Sequence, residues 1–257
     1  MNAAPSHVPE NLVIDFNIYN DQRLAGDLHL ALKQMHADLP DIFWTPQNGG
    51  HWVVTRYSLI EEICTDHDHF SARGNHVPFD PDGMVMIPLN LDPPEHTVYR
   101  NILLKYFGPA AIRKLEPRVQ SWAGRLIDNV VDKGECDFMA EVGSLFPVSI
   151  FMEMMGLPLD RLHEYRDVVV EYFGEVTPER WVELQQQISQ FIKEVLDERK
   201  VEPKDDMCSL LQQDELNGRK LTYEELDALT NLLFQAGMDT VANFAGFFFR
   251  FLGERPD

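Results

Sequence analysis

Apolar residues recur at three- and four-residue intervals along most of this chain, and the segments that do so predict a mainly α-helical protein. Over residues 21–38 the positions Leu24, Leu28, Ala31, Leu32 and Met35 hold that spacing, with Asp21 placed as an N-cap. The same reading predicts a short helix over 57–66 and longer ones over about 93–106, 109–131, 138–155, 160–172, 178–200 and 223–252. Pro109 and Pro178 stand where first-turn prolines belong, and Gly156-Leu157-Pro158 is a helix stop. One β signal interrupts the helices: 43–45 and 51–56 flank PQNGG, whose Asn48-Gly49 supplies the positive φ of a tight turn. Residues 71–90, rich in Pro, Gly and Asp, read as a long irregular loop of the kind that covers a site. The expected class is mainly α with a small β-hairpin sheet near the N-terminus. No fixed-period repeat and no low-complexity tract breaks the pattern.

The most apolar stretch, 228–252, approaches the length of a membrane span, yet Asn231, Gln235, Asp239, Asn243 and Arg250 interrupt it. A mid-membrane Asp costs about 2.5 to 3.5 kcal/mol on insertion scales, so a helix through a large soluble core is expected instead. Inside it, QAGMDTVANF places Gly237, Asp239 and Thr240 within four residues. Gly costs about 1 kcal/mol against Ala in a helix, and Asp and Thr compete for backbone hydrogen bonds. Three poor helix formers together point to a functional or strained site. At 100° per residue Thr240 shares a face with Ala236 and Leu233, and Asp239 shares one with Gln235 and Leu232. Ala236 and Gly237 would then leave room beside the helix. The plain structural alternative is a Thr bonded to its own i−4 carbonyl and an Asp paired to a surface cation.

A second cluster lies in LDPPEHTVYR. Asp92 is the expected N-cap, Pro93 and Pro94 fill the first turn, and Glu95 complements the helix dipole. His96 and Arg100 follow at i, i+4 on one face and offer several N–H donors to one anionic group.

Composition narrows the class. The 257 residues carry 22 Lys and Arg against 42 Asp and Glu, a formal net charge of −20. That acidity argues against nucleic acid or an anionic membrane as partner. The length and the pattern together point to one domain over 1–257. Cys64, Cys136 and Cys208 form no CxxC pair and suit a reducing compartment, and no signal peptide or anchor is visible, so the expected location is cytoplasmic. His67 and His69 in DHDHF lack a third ligand at metal-binding spacing.

Taken together, LDPPEHTVYR and AGMDT at their separation resemble the N-terminal and central part of a bacterial cytochrome P-450, a haem-thiolate monooxygenase. HVPENLVIDFNIYN, NGGHWVVTR, HFS, CDF, FPVSIFMEMMGLP and DTVANF extend the resemblance along the chain, toward the camphor-hydroxylating branch. The resemblance implies the cytochrome P-450 fold, with b-type haem (heme b, iron protoporphyrin IX) as cofactor. His96 and Arg100 would bind a haem propionate. Ala236 and Gly237 would open the groove for dioxygen, Thr240 would hold the activated oxygen and its water, and Asp239 would feed protons toward it. Met84, Met86, Leu89, Leu232 and Gln235 would line the substrate pocket, with Met84 where the camphor enzyme has a tyrosine that bonds its substrate's ketone. A small apolar, terpenoid-like substrate is implied.

The family's FxxGxxxCxG loop and its Glu-x-x-Arg pair are not found in the 257 residues, so the axial Cys is expected beyond Asp257. The alternative is a non-catalytic helical binding or interaction protein. Electrons would come from NADH or NADPH through a reductase and a 2Fe-2S ferredoxin. Between Thr97 and Ile127 six cations (Arg100, Lys105, Arg113, Lys114, Arg118, Arg125) face one acid, Glu116, a local 6 − 1 = +5 that suits an acidic partner.

Overall fold

The computed structural model describes residues 4–74, 77–79, 85–174 and 177–255. Its contacts gather the chain into two compact units, Met1–Val85 with Leu89–Glu95, and Met86–Pro88 with His96–Asp257.

In the smaller unit, strands β1 (Ile42–Thr45) and β2 (His51–Val54) form the expected antiparallel hairpin, with Trp44 opposite Trp52. Asn48, Gly49 and Gly50 all take positive φ in its turn, and a Cβ on Gly50 would meet the Trp44 ring at 2.6 Å. The helix predicted over 21–38 is two pieces. Asp21 caps a single 3-10 turn, Gln22–Leu24, and helix α1 (Leu28–Asp38) starts afresh with Asp27 as its cap. Gly26, at φ +88°, breaks the run, a conformation that glycine adopts without strain. Phe16, Met35 and Phe43 make this unit's buried cluster, and helix α2 (Tyr57–Thr65) follows the hairpin.

Asp92 does not cap the next helix. Its carboxylate accepts from Ser71 Oγ at 2.5 Å and from the Ala72 N–H at 2.7 Å, which fastens the start of the long loop. Helix α3 (Glu95–Phe107) begins three residues later and is followed by α4 (Pro109–Val131). The helix expected over 138–155 starts with a π-helical turn, Met139–Gly143, before α5 (Leu145–Met155). Then come α6 (Leu162–Tyr172), α7 (Pro178–Val201), α8 (Met207–Gln213) and α9 (Tyr223–Gly253). The pattern did not foresee α8 or the hairpin β3 (Glu215–Leu216) and β4 (Arg219–Lys220), turned at Asn217-Gly218.

The larger core lies where α5, α6 and α7 pack on α9. Phe151, Tyr165, Phe191 and Phe234 meet there edge to face, with centroids 4.5 to 6.4 Å apart. The α5 stop is confirmed at Gly156, in the left-handed region at φ +82°. There Arg199 of α7 bridges the Gly156 carbonyl and Asp206, the cap of α8, both at 2.5 Å. A Thr222–Glu225 capping box starts α9.

Candidate functional site

The unfavourable helix residues of QAGMDT lie within unbroken α-helix, and each has a local reason. Gly237 faces α5: a Cβ there would stand 2.2 Å from the Phe151 ring. On this side the space beside the glycine is filled by an aromatic ring. Ala236 and Thr240 lie one turn apart on another face, and both are exposed. Thr240 Oγ1 donates to the Ala236 carbonyl at 2.9 Å, the i−4 bond available to a helical threonine. That donation leaves oxygen lone pairs free to accept from a water or ligand on the exposed face.

Asp239 is half-buried and has no cation partner among the described residues. It accepts from Asn243 Nδ2 at 2.7 Å. Burial raises its pKa and the Asn243 bond offsets only part of the rise, so this carboxyl keeps a proton more readily than an ordinary aspartate. A half-buried acid of this kind beside an exposed hydroxyl is suited to handing on protons.

Gln235 turns away from the Thr240 face into the core, where Nε2 lies 3.4 Å from Gln185 Oε1 on α7. Gln185 Nε2 reaches Asn231 Oδ1 at 3.4 Å, and Asn231 Nδ2 donates to Asp227 Oδ1 at 3.0 Å. Asp227, Asn231, Gln235, Asp239 and Asn243 thus form a polar stripe at four-residue intervals. Its spacing is legible in the sequence. The Gln185 partner is not, since nothing singles it out within Gln185-Gln186-Gln187.

On α3 His96 is half-buried and Arg100 exposed, and among the described residues neither has a hydrogen-bond or ion-pair partner. Their N–H donors, one helical turn apart, are available to an anionic group. Of the other expected pocket residues, Met86 is buried, Leu232 half-buried and Leu89, in the smaller unit, exposed; Met84 lies outside the described residues.

The basic run is less uniform than its sum suggests. Lys105 is paired with Asp214 at 2.7 Å, and Arg125 lies over the Trp122 ring at 3.8 Å. Arg113, Lys114 and Arg118 are exposed without an ion-pair partner among the described residues. His69 is held by Asp66 at 2.8 Å, and among the described residues no group of three His, Cys, Asp or Glu could bind a metal ion. Cys64 and Cys136 are exposed, whereas burial pushes the Cys208 thiol up to about 12. Among the described residues no helix is long and apolar enough to cross a membrane.

Residues 137–257 match the family model described as Cytochrome P450. The chain is 32% identical to the probable cytochrome P450 127A1 of Sinorhizobium fredii, an alignment that takes in 99% of this chain and 64% of that protein. Crystal structures of CYP101J2 and cytochrome P450 CYP101C1 superpose with TM-scores of 0.85 and 0.87 at 33% and 29% identity, each over 99% of this chain and 64% of the other. The chain thus spans a little under two thirds of the length of these relatives.

Proposed function

This chain belongs to the cytochrome P450 family, and we propose that its residues supply the oxygen side and the propionate side of a haem monooxygenase site. The proposed reaction inserts one oxygen atom from dioxygen into a C–H bond of a small apolar molecule of terpenoid type. The family's b-type haem, when bound, supplies the oxygen-activating redox chemistry. The chain's own side chains bind, aim and protonate.

His96 and Arg100 are proposed to hold the propionates, since both are unpaired and project from adjacent turns of α3. Ala236 is small enough to leave the α9 face open, and the Thr240 hydroxyl accepts a hydrogen bond from a water on that face. Asp239 passes a proton to that water, aided by the raised pKa that burial gives it. The observation that carries this reading is the open Ala236–Thr240 face, kept clear while Gly237 seats Phe151 on the other side. Met86 and Leu232 are proposed to contribute apolar surface for the substrate, Met86 through a deformable thioether. Gln235, bonded to Gln185, acts from behind the pocket wall.

Cys208 is held protonated in the core and is unsuited to be an axial thiolate. The thiolate of the proposed site is proposed to come from the family's glycine-rich cysteine loop, whose pattern surrounds none of Cys64, Cys136 and Cys208. That same lack is what favours the second reading, a non-catalytic helical binding protein. Arg113, Lys114 and Arg118 are proposed to guide an acidic 2Fe-2S ferredoxin, itself reduced by an NAD(P)H-dependent reductase, and salt should slow that encounter.

The reduced, carbon-monoxide-treated absorption spectrum tests the reading. A thiolate-type Soret band supports the monooxygenase, and a colourless protein supports the binding protein. In the haem-loaded enzyme Thr240→Ala should leave haem content unchanged and divert electrons to hydrogen peroxide. Unchanged coupling to product would remove the role given to Thr240.

A further inference from the structure

Two tyrosines on α3 each donate to a carboxylate, and the two carboxylates stand at opposite ends of one short segment, 214–225. Tyr99 Oη lies 2.6 Å from Glu225 Oε1, across 126 residues of sequence. Tyr106 Oη lies 2.5 Å from Asp214 Oδ2, and Lys105 Nζ lies 2.7 Å from the other Asp214 oxygen. Seven residues turn an α-helix through almost two full turns, so Tyr99 and Tyr106 share one stripe about 10 Å apart along the axis.

The segment that receives them is itself braced. Leu216 pairs with Arg219 across a two-residue turn in which Asn217 and Gly218 both take positive φ. Arg219 then grips both Glu225 oxygens, at 2.7 and 2.6 Å, and the Thr222 N–H donates to the same carboxylate at 2.7 Å. This guanidinium holds the Glu225 pKa down to about 2, so the acceptor stays ionised in neutral and mildly acidic solution.

The geometry bears on the two donors of α3. At 100° per residue Tyr99 stands 60° around the axis from His96 and 100° from Arg100, on the same flank of both. A phenol fixed on that flank fixes the angle at which the imidazole and guanidinium project. A second phenol one heptad along fixes their height. Without both restraints α3 could roll or slide and still bury Ile102, which is an apolar contact without direction.

We propose that Tyr99 and Glu225 are positioning residues for the His96–Arg100 pair: their bond, seconded by Tyr106–Asp214, sets the roll and height of α3 against the start of α9. The inference rests on the haem reading above, and the two can fail separately. Two readouts on the 257-residue chain decide it, with Thr177→Ala as a control that removes the cap of α7 and touches neither phenol nor its carboxylate.

Amide hydrogen exchange over residues 96–101 should quicken at least tenfold in Tyr99→Phe and less than twofold in Thr177→Ala. Titration with iron-free protoporphyrin IX, which presents propionates without needing a thiolate, should give five- to tenfold weaker binding for Tyr99→Phe and a change under twofold for Thr177→Ala. Exchange and affinity in Tyr99→Phe equal to wild type overturn the positioning role. Porphyrin binding that depends on Arg100, judged by Arg100→Ala, but not on Tyr99 overturns it alone. Binding by wild type that is absent or indifferent to Arg100→Ala overturns the haem reading and the proposal together.

Discussion

The two halves of α9 have similar apolar content and opposite surroundings. Up to Ala242 the helix is a core element: Leu226, Leu229, Leu233, Phe234 and Met238 are buried among α5, α6 and α7. Beyond it Phe244, Phe247, Phe248, Phe249 and Phe251 are all exposed, and Phe244 and Phe248 stack on each other. Among the described residues burial along this helix follows its neighbours rather than its hydrophobicity. Asp239 and Thr240 fall at the changeover, where one flank of the helix is packed and the other is open. A site that needs a rigid support and an accessible face is best placed there.

The largest difference is expected when one phenylalanine is truncated in each half. Phe234, 1% exposed, should cost about 3 to 5 kcal/mol of unfolding free energy as Phe234→Ala, whereas Phe244, 67% exposed, should cost under about 0.5 kcal/mol as Phe244→Ala, both read from urea titrations. Equal losses would contradict the contrast between the two halves. Gly237→Ala comes next. Helix propensity alone would make it stabilising by about 1 kcal/mol, but the clash with Phe151 should reverse the sign to a loss of about 1 to 3 kcal/mol. The loss should shrink when Phe151 is shortened to Leu in the same chain.

Two carboxylates on α9 should show pH linkage of opposite sign. Glu225 has its pKa lowered by Arg219 to about 2, so its contribution is whole above its unfolded value and fades as pH falls toward 2. Glu225→Gln should therefore destabilise at neutral pH, by on the order of 1 to 2 kcal/mol, and much less near pH 2. Asp239 has its pKa raised by burial, so its contribution is whole below the unfolded value and is lost as pH rises through the folded one. Asp239→Asn should be neutral or slightly stabilising at pH 7, by under about 1 kcal/mol. The smallest effect belongs to Thr240→Ala. Its hydroxyl bonds only its own helix among the described residues, so stability should move by less than about 0.5 kcal/mol.

Much of this was legible in the sequence, and the failures have causes. Long periodic helices were placed to within a residue or two, as α4 and α9 illustrate, because the 3.6-residue period and proline starts are local signals. The break at Gly26 was missed because apolar spacing continues through it. Helix α8, seven residues, is too short to show a period, and the β3–β4 hairpin has only two residues per strand. At the site, the open Ala236–Thr240 face follows from helical geometry. What could not be read is anything that depends on a partner from another element: Phe151 against Gly237, Gln185 against Gln235, and the carboxylates that hold Tyr99 and Tyr106. The expected Asp92 cap failed for the same reason, since Ser71 and Ala72 claim its oxygens from 21 and 20 residues away.

The central claim is that α3 presents His96 and Arg100 as a receptor for paired carboxylates on a flat ring. Binding of iron-free protoporphyrin IX and of its dimethyl ester to the same protein measures this directly. The diacid should bind at least tenfold more tightly than the ester, and the difference should disappear in the His96→Ala/Arg100→Ala double variant. Equal affinity for diacid and ester in the unaltered chain would contradict it.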